Sequence, residues 1–222
     1  IYTTEHIELT RKQRILYKEI RQGIVDNLDN ILEIPNPLSC TVRLRQLTGG
    51  LFGDDNPKLE RVKDMLEEIT ESGHKALIFS QWEQVTAVYK EALKNYNPAY
   101  IVGAVDPEDR QKEVDRFQND PTCKVAIGTI GAMGTGLTMT AASYVFFIDK
   151  RYWDAENKQA EDRAHRIGTT NTVNVVSLVA TNTVDEGIEE MLRDNKALFD
   201  RVVEGKGSRV DFGEILRKIL QL

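Results

Sequence analysis

The chain has 222 residues, a length that suits one large domain with a single buried core. Hydrophobic residues make up 41% and charged residues 29%, as in an ordinary globular protein, and no apolar run is long enough to span a membrane. The net charge of −6 counts against strong autonomous DNA binding, although a local phosphate groove is compatible with it. Cys40 and Cys123 lie far apart and match no disulfide or zinc pattern, which indicates reduced thiols.

The first part of the chain predicts a helical segment ahead of the main domain. It has no apolar signal-peptide segment and does not begin with Met, as expected for a piece of a longer chain. One helix is predicted from Arg11 to about Leu28, followed by a stretch that is rich in Pro and Gly. We therefore predict a helical preface at residues 1–58 that packs beside a sheet domain at 59–204, followed by a linker and a short docking helix at 205–222.

From residue 59 onward, helical and strand patterns alternate. The strand segments are apolar throughout and the helical ones are amphipathic, which predicts a parallel sheet with helices on both faces. Pro107, with Glu108 and Asp109 after it, suits the first turn of a helix. The fold class is therefore a doubly wound α/β domain. Helices are predicted at 59–70, 85–94, 107–118, 155–166 and 185–203, and strands at 75–80, 99–103, 124–129, 142–149 and 173–180.

A glycine-rich segment, GTIGAMGTGLT, occupies residues 128–138 directly after a predicted strand. From Gly131 the spacing is that of a Walker A phosphate loop, but Leu137 stands where that loop needs Lys. The order of the glycines does not fit a dinucleotide fingerprint either. From the residues alone, a tight strand-to-helix turn is as good an interpretation as a functional loop, with glycines that allow close backbone approach and positive φ.

The segment QAEDRAHRIG at 159–168 carries the strongest functional pattern. Gln159, Arg163 and Arg166 follow the offsets i, i+4 and i+7, which predicts that they share one helix face. Two guanidinium groups on one face suit a polyphosphate, because the Arg fork matches phosphate oxygens. The alternative is a solvated face on which Glu161 and Asp162 pair with the two Arg side chains.

These segments resemble, in order, the motifs of the Swi/Snf group of superfamily-two helicase-like translocases. Residues 162–168 reproduce the Asp-Arg-Ala-His-Arg-Ile-Gly core of motif VI, and Thr169 departs from the Gln that usually follows it. The glycine-rich segment resembles motif V, and residues 75–82 resemble motif IV. The segment before motif VI has Trp153-Asp154-Ala155 in place of Trp-Asn-Pro. Residues 6–20, 105–118 and 183–205 resemble the remaining segments, so the resemblance covers nearly the whole chain.

The resemblance implies a RecA-like second lobe of an ATP-dependent double-stranded DNA translocase that remodels DNA-bound proteins without separating strands. ATP and Mg²⁺ would be bound mainly by a preceding RecA-like lobe, because this chain has neither the Walker A Lys nor an Asp-Glu box. The fragment alone is therefore expected to hydrolyse no ATP. The expected catalytic residues are Arg163 and Arg166, the nucleotide-contacting residues Gln159, Gly134 and Asp162, and the DNA-contacting residues Ser80, Gln81, Thr129, Gly131 and Trp153.

Three other functions stay open from the sequence. The first is a catalytically silent RecA-like module that binds partners. The second is a lobe of a strand-separating helicase, which the form of motif VI disfavours. The third is a nucleotide-binding oxidoreductase domain, which the glycine spacing disfavours. We expect no membrane association and an intracellular location, in the nucleoid-associated cytoplasm if the source is prokaryotic.

Overall fold

A computed structural model of the chain describes residues 1–30, 37–134, 136–165 and 172–203, with side chains described at 1–22, 41–134, 136–165 and 172–193. The predicted docking helix within 205–222 lies outside these residues. In chain order the strands are β1 Tyr2–Ile7, β2 Ala76–Ser80, β3 Ala99–Ile101, β4 Val125–Thr129, β5 Tyr144–Phe147 and β6 Asn174–Ala180. They form one sheet in the order β1-β6-β5-β2-β4-β3.

The helices alternate with the strands after β2, as the sequence predicts. A short 3₁₀ turn, Lys94–Tyr96, precedes β3. Helix α5 begins with Pro107 and carries Glu108 and Asp109 in its first turn, which confirms that prediction. In chain order the helices are α1 Arg11–Asn30, α2 Pro37–Thr48, α3 Pro57–Glu71, α4 Glu83–Ala92, α5 Pro107–Asn119, α6 Ile130–Met133, α7 Asp154–Glu161 and α8 Val184–Val203.

The central strand β2 explains why the sheet is parallel and covered on both faces. All five of its residues are buried, so it has no solvent face. It pairs in parallel with β4, where Ile78 lies opposite Ile127, and with β5, where Phe79 lies opposite Phe147. The rings of Phe79 and Phe147 stack with centroids 5.3 Å apart. The predicted doubly wound α/β class is confirmed.

The chain divides into two compact units. The sheet unit comprises Ile1–His6 and Lys58–Leu178, and the helical unit comprises Ile7–Pro57 and Val179–Leu222. The sheet unit has a large apolar core that includes Leu77, Phe117 and Phe147. Among the described side chains, the core of the helical unit includes Leu44, Leu47 and Tyr17.

Two elements in the first part of the chain differ from the sequence-based expectation. Residues 2–7 form strand β1, whereas the pattern predicted only a helical preface there. The backbone explains the strand, because Val175 N donates to Ile1 O at 2.8 Å and adds β1 to the edge of the sheet beside β6. The stretch rich in Pro and Gly, for which no particular helix was predicted, contains helix α2.

Among the described helices, none has the length and apolar character needed to cross a membrane.

Candidate functional site

Parallel strands end at one edge of their sheet, so the segments that follow β2, β4 and β5 meet at the carboxyl edge, where ligands of open α/β sheets usually bind. Asp149, just after β5, organises this edge. Ser80 Oγ donates to Asp149 Oδ2 at 2.5 Å, and the backbone N–H of Gln81 donates to Asp149 Oδ1 at 2.8 Å. Ser80 also accepts from Trp82 N at 3.1 Å. The turn after β2, which resembles motif IV, is therefore fixed by the end of β5.

Three polar residues at or near this turn are buried. The side chain of Ser80 is 1% exposed, so its hydroxyl is used inside the protein. Lys58, at the start of α3, is fully buried and its ammonium group donates to Ile148 O at 2.6 Å. Asp149 is also buried. A polar network of this kind is stable in a low-dielectric interior only when its members have partners, which makes the position of the turn specific.

The glycine-rich turn follows β4 directly. Thr129 caps helix α6, because its hydroxyl accepts from Ala132 N at 3.4 Å. Gly134 ends that helix in right-handed backbone, and a Cβ at this position would collide with Ile130 O. Gly136 has a φ of +72°, which favours glycine. The predicted positive φ is therefore confirmed, the close approach to a ligand stays a prediction, and Thr129 and Gly131 remain partly exposed.

The arginine segment differs from the prediction of one continuous helix. Helix α7 ends at Glu161, and Asp162 to Ala164 form a turn in which Arg163 N donates to Ala160 O at 3.2 Å. Gln159 is exposed on α7, whereas Arg163 lies beyond its end, so the expectation that one helix face carries them is wrong. The physical reason is a tertiary hydrogen bond: Arg163 O accepts from Met139 N at 3.0 Å. Arg166 lies outside the described residues.

The same hydrogen bond joins the arginine turn to the segment that follows the glycine-rich turn. Arg163 Nη1 also donates to Leu137 O at 3.4 Å. The guanidinium group is half-buried, and its Nε has no hydrogen-bond partner within the described part of the chain. The Nε2 of Gln81 is likewise a buried donor without a described partner. Both N–H groups are shielded from solvent, so a ligand could reach them only after a local rearrangement.

Two further predicted site residues, Trp153 and Asp162, are exposed. Trp153, the residue before α7, is 65% exposed, which is unusual for so large an apolar side chain. Asp162 is exposed and lines a cleft of about 180 Å³ beside Lys158 and His165. Hydrogen bonding to the Tyr2 hydroxyl is the largest of the effects that raise the pKa of Lys158 above its usual range. The lining of this cleft contains no residue of the glycine-rich turn.

Three functional candidates were missed from the sequence. Asp149 ends an apolar strand segment, and that polar residue in an apolar run was a usable signal. Arg151 and the buried Asn157 gave none, because their roles depend on contacts between the β5–α7 segment and α7. As for metal ions, the described residues contain no group of three or more His, Cys, Asp or Glu side chains that could hold one.

Comparison with known proteins identifies the family to which this domain belongs. The helicase conserved C-terminal domain model matches residues 57–168, which contain the carboxyl edge and the arginine turn. The chain belongs to this family. Helicase SWR1 of Candida albicans is 30% identical over 94% of the chain but only 12% of its own length. Protein CHROMATIN REMODELING 19 of Arabidopsis thaliana is 34% identical over 99% of the chain and 31% of its own length.

Solved structures agree with this assignment. The Sulfolobus solfataricus SWI2/SNF2 ATPase core in complex with dsDNA matches all of the chain and 50% of its own length, with a TM-score of 0.77 and 26% identity. The C-terminal domain of the Sulfolobus solfataricus SWI2/SNF2 ATPase matches over 98% of its own length, with a TM-score of 0.74 and 22% identity. The chain is therefore a RecA-like C-terminal lobe of the Swi2/Snf2 type, and it spans less than a third of the first curated relatives.

Proposed function

We propose that this chain is the second motor lobe of an ATP-dependent double-stranded DNA translocase of the Swi2/Snf2 type, which remodels DNA-bound proteins. One observation carries the proposal: the arginine turn and the segment after the glycine-rich turn are joined by the bond from Met139 N to Arg163 O. A nucleotide contact at Arg163 would therefore move with the segment next to the glycine-rich turn, which carries the proposed DNA contacts Thr129 and Gly131. Such a connection is what a motor needs between hydrolysis and movement.

In this proposal, Arg163 and Arg166 act as arginine fingers on ATP bound to a preceding RecA-like lobe. They would stabilise the negative charge that develops on the γ-phosphate in the transition state. Support for Arg163 comes from its half-buried guanidinium group, whose position is set by Leu137 O. Gln159, exposed at the end of α7, and Gly134, at the end of α6, would line the nucleotide cleft, and Asp162 would orient Arg163 or contact the other lobe.

Mg²⁺ and most contacts to ATP are assigned to the preceding lobe. The glycine-rich segment has Leu137 where a phosphate loop needs Lys, and the described residues contain no group of three or more His, Cys, Asp or Glu side chains that could hold a metal ion. When bound, Mg²⁺ would neutralise charge on the phosphate oxygens. We therefore expect the purified chain alone to hydrolyse no ATP. Mg²⁺-dependent turnover that co-purifies with the chain through several columns would contradict this expectation.

Duplex DNA is the proposed partner of the carboxyl edge. Gln81, Thr129, Gly131 and Trp153 present amide, hydroxyl, backbone and aromatic groups there, which suits contact with the sugar–phosphate backbone. Ser80 would act indirectly, because its buried hydroxyl holds the turn that carries Gln81. A dsDNA complex of a 26% identical ATPase core supports this partner. Contacts with the DNA backbone predict binding that is independent of base sequence and sensitive to salt. This partner implies an intracellular protein.

The test is ATP hydrolysis by a protein that contains both the preceding lobe and this chain, with and without duplex DNA. Arg163→Ala and Arg166→Ala should each lower DNA-stimulated turnover by roughly 10³-fold or more. Arg61→Ala is the matched control, because Arg61 pairs with Glu5 at 3.0 Å on α3 and should leave turnover unchanged. Turnover that survives both arginine variants would favour a silent binding module instead, and strand separation in the same assay would favour a true helicase.

A further inference from the structure

Arg151 lies between β5 and α7, and its backbone is held on both sides by one buried amide. Arg151 N donates to Asn157 Oδ1 at 2.8 Å, and Asn157 Nδ2 donates to Arg151 O at 2.9 Å. Asn157 is 1% exposed, so these two bonds are shielded from water. The position from which the Arg151 side chain emerges is therefore fixed relative to α7.

The guanidinium group of Arg151 extends from there to the glycine-rich turn. A Cβ on Gly131 would lie 2.9 Å from Arg151 Nη2, so the absence of a side chain at Gly131 leaves the space that the guanidinium group occupies. On its other side, Nη1 donates to Glu156 Oε1 at 2.9 Å. The side chains of Arg151 and Glu156 are 35% and 42% exposed, so this cation lies at the surface.

The other residues of the carboxyl edge leave a role for the Arg151 guanidinium group in phosphate contact. Ser80 is buried and its hydroxyl is used internally, so it cannot donate to a phosphate. Arg151, in contrast, has a side chain that is 35% exposed, with Nη2 against Gly131 and Nη1 on Glu156 Oε1. Guanidinium groups bind phosphate oxygens through two parallel hydrogen bonds. A local cation of this kind is what a chain with a net charge of −6 needs to approach a phosphate backbone.

We infer that Arg151 is a DNA phosphate contact at the glycine-rich turn, and that Glu156 positions its guanidinium group while competing with the phosphate for it. This inference rests on the proposed function, since it names a contact of the same DNA-binding edge. The Glu156 carboxylate orients the fork in the free lobe, and it reduces the positive charge that a phosphate meets. Its removal is therefore expected to strengthen DNA binding only while Arg151 is present.

The experiment is duplex DNA binding by the chain, measured by fluorescence anisotropy over a series of salt concentrations starting at low salt. Arg151→Gln should weaken binding by roughly tenfold and reduce the slope of log K against log salt by about one, as expected for one lost phosphate contact. Arg151→Lys keeps the charge and should keep the slope. Arg61→Gln, which removes another surface Arg–Glu pair, should change neither quantity.

Glu156→Gln, alone and combined with Arg151→Gln, gives a double-mutant cycle. It should tighten binding several-fold in the wild-type background and have no effect in the Arg151→Gln background. An unchanged slope in Arg151→Gln would overturn the inference, and so would an equal loss of slope in Arg151→Lys, which would indicate a structural role for the side chain. In both cases the wild-type chain still binds DNA, so the proposed function stands. A wild-type chain that does not bind the duplex at low salt would reject both.

Discussion

The two units of the chain stabilise their interiors in different ways. In the sheet unit the core between the helices and strands is apolar, and buried polar groups such as Ser80 and Asp149 lie at the ends of strands. In the helical unit, polar side chains lie within the interior itself, including Thr48 and Asp185, which share a hydrogen bond of 3.0 Å. Hydrophobic burial is non-directional, whereas buried hydrogen bonds require a specific geometry.

This difference between the units indicates where a functional site can form in this fold. In the sheet unit the apolar strands set the scaffold and leave the polar groups at the carboxyl edge free to shape a site. In the helical unit the polar groups connect helices to loops, as in the bond from Gln13 Nε2 to Asp55 O at 2.9 Å. Substitutions should therefore act by steric overlap and packing in the sheet unit, and by loss of hydrogen bonds in the helical unit.

The largest effect is expected from Gly128→Ala in strand β4. The new Cβ would overlap Ile101 O on the neighbouring strand β3 as well as the Met133 side chain, and a backbone oxygen cannot move without separating the strands. We expect a loss of about 3 kcal/mol or more in the free energy of unfolding, measured by urea denaturation. Gly103→Ala is the control, because a Cβ there meets nothing within 4 Å, and a similar loss in both variants would contradict the steric explanation.

A pH-dependent effect of similar size is expected in the helical unit. Burial raises the pKa of Tyr17 to about 12 from the ordinary value of 10.0, while its hydroxyl accepts from Val184 N at 2.9 Å. Because the folded state binds this proton more tightly, the contribution is fully present below pH 10 and is lost as the pH rises towards 12. The loss amounts to about 3 kcal/mol at the upper end.

Tyr17→Phe separates this contribution from other alkaline effects. The stability of wild type relative to Tyr17→Phe, measured by chemical denaturation at several alkaline pH values, should fall by up to about 3 kcal/mol as the pH rises, since only the wild type can ionise at this position. Tyr96→Phe in the sheet unit is the matched control, because the pKa of Tyr96 is raised by burial but its hydroxyl is more exposed. Curves for Tyr17→Phe and wild type that stay parallel would reject the assignment.

A smaller loss is expected from Asp185→Ala in the helical unit. The carboxylate is 7% exposed and accepts from Thr48 Oγ1 at 3.0 Å and from Ala180 N at 3.3 Å. Its removal leaves the buried Ala180 N–H without this acceptor, although the Thr48 hydroxyl still reaches Arg45 O at 3.0 Å, and should cost about 2 kcal/mol in thermal or urea unfolding. Asp64→Ala, on the exposed face of α3, should change stability by less than about 0.5 kcal/mol. Equal effects would show that burial does not decide the outcome.

The smallest effects come from two asparagines with left-handed backbone, one in each unit. Asn97 has a φ of 48° and Asn182 a φ of 53°. Asn97 Oδ1 accepts from Arg116 Nη1 at 3.0 Å, and its Nδ2 donates to Thr122 Oγ1 at 3.0 Å. Asn97→Gly should therefore lower the melting temperature, by an amount that corresponds to about 1 kcal/mol. Asn182→Gly should be neutral within about 0.5 kcal/mol, because relief of backbone strain offsets the entropy that glycine adds to the unfolded chain.

Much of the sheet unit was predictable from the sequence. The apolar segments at 75–80, 124–129 and 142–149 contain β2, β4 and β5, because a strand that is buried on both faces has no polar alternation to confuse the pattern. The α/β class and the family also followed, since they depend on the order of local segments. Strand β1 was missed, because its residue pattern does not indicate a strand and its structure depends on pairing with β6.

The candidate site also has features that the sequence predicted and features that it did not. The sequence by itself determined which segments carry the chemistry: the glycine-rich turn, the turn after β2 and the arginine segment each have a local signature of residue types. Only the tertiary structure decided that α7 ends before Arg163, that Ser80 is buried, and that Arg151 reaches Gly131. Each depends on hydrogen bonds or contacts between residues far apart in the chain, such as the bond from Met139 N to Arg163 O, which local propensities do not encode.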